Sequence, residues 1–134
     1  MPLRVNGIVF DCERPAALAR FWTAALGYGV RPYDEEDLAH LRELGIDDVE
    51  DDPNVAVDAP DGSATLWFQQ VPEGKTVKNR VHLDLMPGGS MRAEVERLLE
   101  LGATALREFD EPDGQRWTVM LDPEGNEFCV QSPA

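Results

Sequence analysis

The feature that most restricts what this chain can fold into is an internal repeat. Leu26-Gly27 and Leu101-Gly102 lie 75 residues apart, and the same offset aligns Ile8 with Leu83, Gly7 with His82, and residues 16–25 with residues 91–100. One offset therefore brings a strand, a helix and a helix stop into register, which a chance dipeptide match would not do. In each copy an alternating apolar segment, residues 5–11 and 80–86, precedes apolar residues at helical spacing: Leu18, Phe21, Trp22 and Ala25 in the first, Val95, Leu98 and Leu99 in the second. Gly27 and Gly102 are placed to end those helices, because glycine enters the left-handed conformation at a helix C-terminus without a Cβ penalty. Pro15 suits a first helical turn and Ser90 an N-cap.

Three further strands are expected in each copy, over residues 28–31, 55–59 and 65–71 and over residues 103–107, 116–121 and 127–131. Pro60-Asp61-Gly62, Glu111-Pro112-Asp113-Gly114 and Asp122-Pro123-Glu124-Gly125-Asn126 are turn signals, with proline fixing φ where the bend begins and glycine accepting positive φ where it closes. The repeat goes out of step after the second strand, because an acidic segment lengthens the first copy. From Asp34 to Asp52 there are ten acidic residues against one arginine, a local −9 within a net charge of −14. Leu38, Leu41 and Leu44 suggest one short helix inside it. Two readings are open: a solvated acidic face, or a surface that attracts a cationic partner. The expected organisation is one α+β domain, residues 1–134, with module one at about 3–72 carrying the insertion 33–53 and module two at about 79–132.

Charge and composition exclude several classes. Twelve basic residues against 26 acidic ones argue against nucleic-acid binding, which depends on neutralising phosphates. No apolar stretch approaches the roughly 20 residues of a membrane span, and the N-terminus lacks a signal-peptide core. A cytoplasmic location without membrane contact is expected. Two cysteines, Cys12 and Cys129, make neither a disulfide framework nor a zinc motif.

The element order, together with Arg14-Pro15-Ala16-Ala17-Leu18-Ala19-Arg20-Phe21-Trp22 before Ala25-Leu26-Gly27-Tyr28, with Val81-His82-Leu83-Asp84-Leu85 and with the closing Asp122–Val130 segment, resembles the glyoxalase/bleomycin-resistance (vicinal oxygen chelate) superfamily and its glyoxalase-like domain subgroup. The resemblance covers nearly the whole chain except about residues 33–53. It implies two βαβββ modules whose curled mixed sheets form a cup with helices on the convex face, and a homodimer. It also implies metal-ligand positions on the first, fourth, fifth and eighth strands. Carried over, these fall on Gly7, near Trp67 with Gln69 on the same face, on His82 and on Glu127. Glycine offers no ligand, and two good donors are too few for a tight transition-metal site. A branch that needs two histidines and a carboxylate is not matched, because His40 lies in the acidic insertion. No tightly held cofactor is therefore expected, and at most a weak divalent metal at His82 and Glu127.

Period-two alternation places Val81, Leu83 and Leu85 on one strand face and His82, Asp84 and Met86 on the other. His82 is read as a proton-transfer group or, alternatively, as a cup-lining histidine held by Glu127 or Asp84. Glu127 is its catalytic partner or a carboxylate bonded to nearby backbone N–H groups. Gly7, Trp67, Gln69, Asp84 and Cys129 are the candidate ligand-binding residues, with Cys129 read as a buried thiol rather than a nucleophile. Trp22 is assigned to the core. Three functions are compatible with this pattern. The first is a small-molecule-binding protein with metal-independent lyase or isomerase activity on a carbonyl compound. The second is a binding protein that sequesters an antibiotic or cationic ligand without catalysis. The third is a regulatory dimer with a vestigial cup.

Overall fold

The computed structural model describes residues 1–133 and divides the chain into two compact units, Met1–Gly74 and a second beginning at Lys75. The first contains β1 (Gly7–Cys12), α1 (Pro15–Leu26), β2 (Gly29–Val30), α2 (Glu35–Glu43), a 3₁₀ turn (Val49–Asp51), β3 (Asn54–Asp58) and β4 (Thr65–Gln70). The second contains β5 (Leu83–Leu85), α3 (Met91–Leu101), β6 (Thr104–Asp110), β7 (Arg116–Leu121) and β8 (Glu127–Gln131). Each unit builds a four-stranded mixed sheet, in the order β1-β4-β3-β2 and β5-β8-β7-β6 respectively. The first strand of each unit pairs in parallel with its last, and the remaining neighbours are antiparallel. The architecture is α+β, with the same topology used twice.

The helices form where the repeat places them. Pro15 opens α1, where its missing N–H has no intrahelical partner to lose, and the Ser90 hydroxyl caps α3 by accepting from the Ala93 amide at 3.2 Å. Gly27 and Gly102 both stop their helices at positive φ, 71° and 114°. Each helix covers one face of its own sheet. In the first unit Leu18, Phe21 and Trp22 are buried with Val55, Val57, Leu66 and Phe68. The Phe10 ring lies 5.4 Å from Trp22 and 5.0 Å from Phe68. In the second unit Met91 and Leu98 are buried with Met120, Phe128 and Val130, whereas Val95 is half-buried and Leu99 exposed. The opposite face of each sheet carries the alternate residues and is called its open face below.

Several strand limits differ from the sequence expectation, for identifiable reasons. β5 is three residues long rather than seven. It pairs only where β8 runs beside it, Leu83 with Phe128 through Leu85 with Val130, and upstream the Asn79 amide donates to the Glu127 side chain instead of to a ladder. Pro87 lacks a donor for any extension downstream. β6 extends to Asp110 through an irregularity at Leu106, so Arg107 rather than Leu106 faces Val119.

The acidic segment exposes its acidic residues except Asp52, and several of them also make local ties. Asp34 and Asp37 form a reciprocal capping box at the start of α2, and Asp48 caps the 3₁₀ turn. Glu50 takes a two-point ion pair from Arg20 at 2.6 and 2.7 Å, and buried Asp52 accepts from the Tyr33 hydroxyl at 2.6 Å and the Asn54 amide at 2.9 Å. Burial first, and then the hydrogen bond to the Asp52 carboxylate, holds the Tyr33 phenol well above its usual range.

Candidate functional site

The open face of the second sheet carries the candidate site. β5 presents Asp84 beside Cys129 of β8, and Cys129 lies beside Val119 of β7. One row further, Gln131 pairs with Trp117, which pairs with Phe109. Trp117 and Phe109 stack with ring centroids 5.0 Å apart and planes 9° from parallel, and the Arg107 guanidinium covers the Phe109 ring at 4.4 Å. Asp84, Cys129, Val119, Gln131, Trp117 and Phe109, with Lys78, His82, Gln115 and Glu127, line a cavity of about 440 Å³. His82 stands one residue before β5, and its Nε2 lies 3.2 Å from Asp84 Oδ1. Cys129 is buried beneath them. Ligand atoms of His82, Asp84 and Cys129 all fall within 4.8 Å of one another.

The electrostatics of the two carboxylates differ. Burial pushes the Glu127 carboxyl up, but the Asn79 amide at 2.9 Å, its own backbone amide and the Lys75 ammonium at 3.2 Å outweigh it, and the net shift is down. Both Glu127 oxygens are therefore engaged, one by a backbone N–H as the sequence alternative had it and one by a lysine. Asp84, not Glu127, is the carboxylate within ion-pair distance of His82, at 3.2 Å. The Cys129 thiol is raised, first by burial and then by the Asp84 charge and hydrogen bond, with Lys78 opposing weakly. A thiol raised in this way is a poor nucleophile at neutral pH.

In the first unit, Trp67 and Gln69 stand on the open face of their sheet, Gln69 exposed and Trp67 half-buried. The Arg31 guanidinium lies 5.1 Å from the Trp67 ring centroid and makes a two-point bond to Asp58 at 2.9 Å on each side. Gly7 pairs with Thr65, and a Cβ built on it would lie 3.1 Å from the Thr65 carbonyl oxygen and 3.1 Å from Trp67 Cδ1. The Trp67 indole thus occupies the space beside Gly7, one of the candidate ligand-binding residues. Trp67, Arg31, Tyr33, His40 and Asp52 also border a smaller cavity of about 260 Å³ against α2, so His40 contributes to a different recess from His82.

Strand register narrows one carried-over position, the one placed near Trp67. Val9 pairs with Trp67 as Asp84 pairs with Cys129, so the counterpart of Glu127 in the first copy is Thr65, two residues before Trp67. The Thr65 hydroxyl donates to Asp58 at 2.7 Å. The four positions at which the superfamily resemblance places metal ligands then hold a glycine, a threonine bonded to Asp58, His82, and a glutamate bonded to Lys75 and Asn79. That donor set does not fit a bound metal. Phe109, Trp117, Val119 and Lys78 were not singled out from sequence. Their signal was the alternation of β7, which puts Trp117 and Val119 on the face of Cys129.

Twin βαβββ sheets with a cavity on an open sheet face define a glyoxalase-type scaffold. The family described as glyoxalase-like domain matches residues 7–131, and this chain belongs to it, within the glyoxalase/bleomycin-resistance (vicinal oxygen chelate) superfamily. No curated protein matches the sequence. Among solved structures the chain is similar to a glyoxalase/bleomycin resistance protein/dioxygenase family enzyme from Burkholderia phytofirmans PsJN, at 15% identity and TM-score 0.67 over 96% of this chain and 98% of that one. It is also similar to the fosfomycin resistance protein FosX of Mesorhizobium loti, at 10% identity and TM-score 0.66 over 100% and 95%. A mutant FosX from Listeria monocytogenes, complexed with Mn(II) and 1S,2S-dihydroxypropylphosphonic acid, gives 9% identity and TM-score 0.69 over 100% and 93%. At these identities the likeness is one of fold. No helix among the described residues is long and apolar enough to cross a membrane.

Proposed function

We propose that this protein binds a small organic molecule bearing a carbonyl or similar polar group on the open face of its second sheet. One observation carries the reading: a single cavity of about 440 Å³ combines an aromatic and apolar wall, Phe109, Trp117 and Val119, with a polar end at His82 and Asp84. That combination is the usual make-up of a small-molecule site. The flat part of the ligand lies against Trp117, and the polar group meets the His82 imidazole. Asp84 Oδ1 lies 3.2 Å from Nε2 of that ring, which leaves Nδ1 for the ligand. Capture of a cation by Trp67 is the less favoured reading, because a guanidinium already lies over that ring. A homodimer, as the superfamily resemblance implies, belongs to the same proposal, and light scattering at micromolar concentration checks it.

A thermal-shift screen on chelator-treated protein, with carbonyl compounds in one arm and cationic natural products in the other, tests the reading. Stabilisation by a carbonyl compound that is lost in both Trp117→Ala and His82→Ala supports it. Stabilisation only by cations, or stabilisation that survives both substitutions, refutes it.

A further inference from the structure

The second unit holds a group of three donors of which the superfamily ligand pattern uses only His82. His82 and Asp84 are two residues apart with Nε2 and Oδ1 3.2 Å from each other, so they project from the same side of the chain at β5. Cys129 is the cross-strand partner of Asp84 on the parallel neighbour β8. Two donors at i and i+2 with a third across the ladder converge on one point above a sheet, because side chains on one face of neighbouring strands lie only about 4.5–5.5 Å apart. In this arrangement Asp84 and Cys129 replace the glycine, threonine and glutamate positions that do not fit a metal.

We propose that His82, Asp84 and Cys129 form a site for a thiophilic divalent cation, with Zn²⁺ the best match, built wholly within the second unit. The geometry suits a tetrahedral ion. With Zn–N and Zn–O bonds of about 2.0–2.2 Å, two ligands of a tetrahedron lie roughly 3.3–3.6 Å apart. His82 Nε2 and Asp84 Oδ1 are already 3.2 Å apart, and the three donors, which lie within 4.8 Å of one another, close further around the ion. The thiol accounts for the preference, since thiolate and imidazole together favour zinc over the hard ions magnesium and calcium. In the free protein the Cys129 thiol lies beside the Asp84 carboxylate, its cross-strand neighbour. The ion takes its place between sulfur and oxygen, and the thiol proton leaves to solvent, one per ion bound. Three protein donors leave the fourth tetrahedral position to water. Cys129 lies at the floor of the cavity while His82 and Asp84 are exposed at its rim, which gives the ion a way in.

The site shares the cavity of the proposed function, and the experiment is independent of any organic ligand. Chelator-treated, reduced protein is titrated with Co²⁺, whose thiolate complexes absorb in the near ultraviolet. The expected result is a sulfur-to-cobalt band that saturates at one ion per chain, is displaced by Zn²⁺ and is indifferent to an equal concentration of Mg²⁺. The chain has one other cysteine, Cys12, buried in the first unit, so the band persists in Cys12→Ser and vanishes in Cys129→Ser. Should Cys129→Ser misfold, the exposed positions serve instead: His82→Ala and Asp84→Asn, verified as folded by circular dichroism, weaken or abolish the band. Absence of a band, displacement by Mg²⁺, or a band unaffected by His82→Ala and Asp84→Asn would overturn the proposal. The carbonyl screen is run without metal, so it can fail while this titration succeeds, and the reverse.

Discussion

Gly7→Ala tests the account of the first unit most directly. Gly7 is not at positive φ, so the backbone accommodates alanine and any cost is steric. The added methyl would lie 3.1 Å from the Thr65 carbonyl oxygen, 3.1 Å from Trp67 Cδ1 and 3.2 Å from Trp67 Nε1, against an optimum near ~3.5–4.0 Å for carbon contacts. The carbonyl is fixed in the β1–β4 ladder. The indole could rotate, but Arg31 covers it and is itself bonded to Asp58. Overpacking of this kind costs about 1–3 kcal/mol, and the stiffer unfolded chain returns about 0.4–1 kcal/mol. A net destabilisation of about 1.3 kcal/mol at the midpoints of these ranges, and at most about 2.6 kcal/mol, is expected, read as a lower urea midpoint at unchanged slope. In a Trp67→Ala background only the Thr65 contact remains, so the same substitution costs less, with a coupling of about 1 kcal/mol between the two sites. Equal stability of Gly7→Ala and the parent, or an equal cost in both backgrounds, would show that the indole does not need this glycine.

Trp22→Ala removes the largest buried side chain of the first unit and should cost about 3–5 kcal/mol by urea titration. Asp58, held down to about 2 by Arg31 and then Thr65, contributes stability that is present above its unfolded value of about 3.9 and lost as pH falls toward 2; Asp58→Asn should flatten that part of an acid-unfolding curve. Glu127 is likewise lowered on balance, so its contribution is present above about 4.3 and lost in acid. In Glu127→Gln the Asn79 amide should keep its protection from hydrogen exchange, because an amide oxygen still accepts, whereas Glu127→Ala should expose it. Asp34→Ala, which opens the capping box of α2, should cost about 1 kcal/mol.

What was legible in the sequence was local. Gly27 and Gly102 mark helix ends because their chemistry acts at a single residue, and the faces of β8 follow from simple alternation. The length of β5 was not legible, since it depends on where β8 lies and on an amide recruited by a side chain 48 residues away. Register across strands was also hidden. It decides that Thr65 rather than Trp67 is the counterpart of Glu127, and that Trp117 joins Cys129 at the site. The helix in the insertion was legible from Leu38, Leu41 and Leu44, but its ties, Arg20 to Glu50 and Tyr33 to Asp52, were not, because they span 30 and 19 residues. Asp34-Glu35-Glu36-Asp37 was in plain view, but its aspartates are a cap only once a helix begins there.

The shared register of β1–β4 and β5–β8 means that this chain carries the same socket twice, one copy stoppered and the other open. Where the second copy has a small thiol at Cys129, the first has the Trp67 indole lying across a bare glycine, with Arg31 as its cover. The stopper belongs to the chain and cannot diffuse away, so the first copy shows what a filled socket of this shape looks like: a flat ring roofed by a planar cation. Trp67→Ala would unstopper it. The protein then becomes its own control, with two cavities of common ancestry in form but different chemistry, whose ligand preferences can be compared in one molecule.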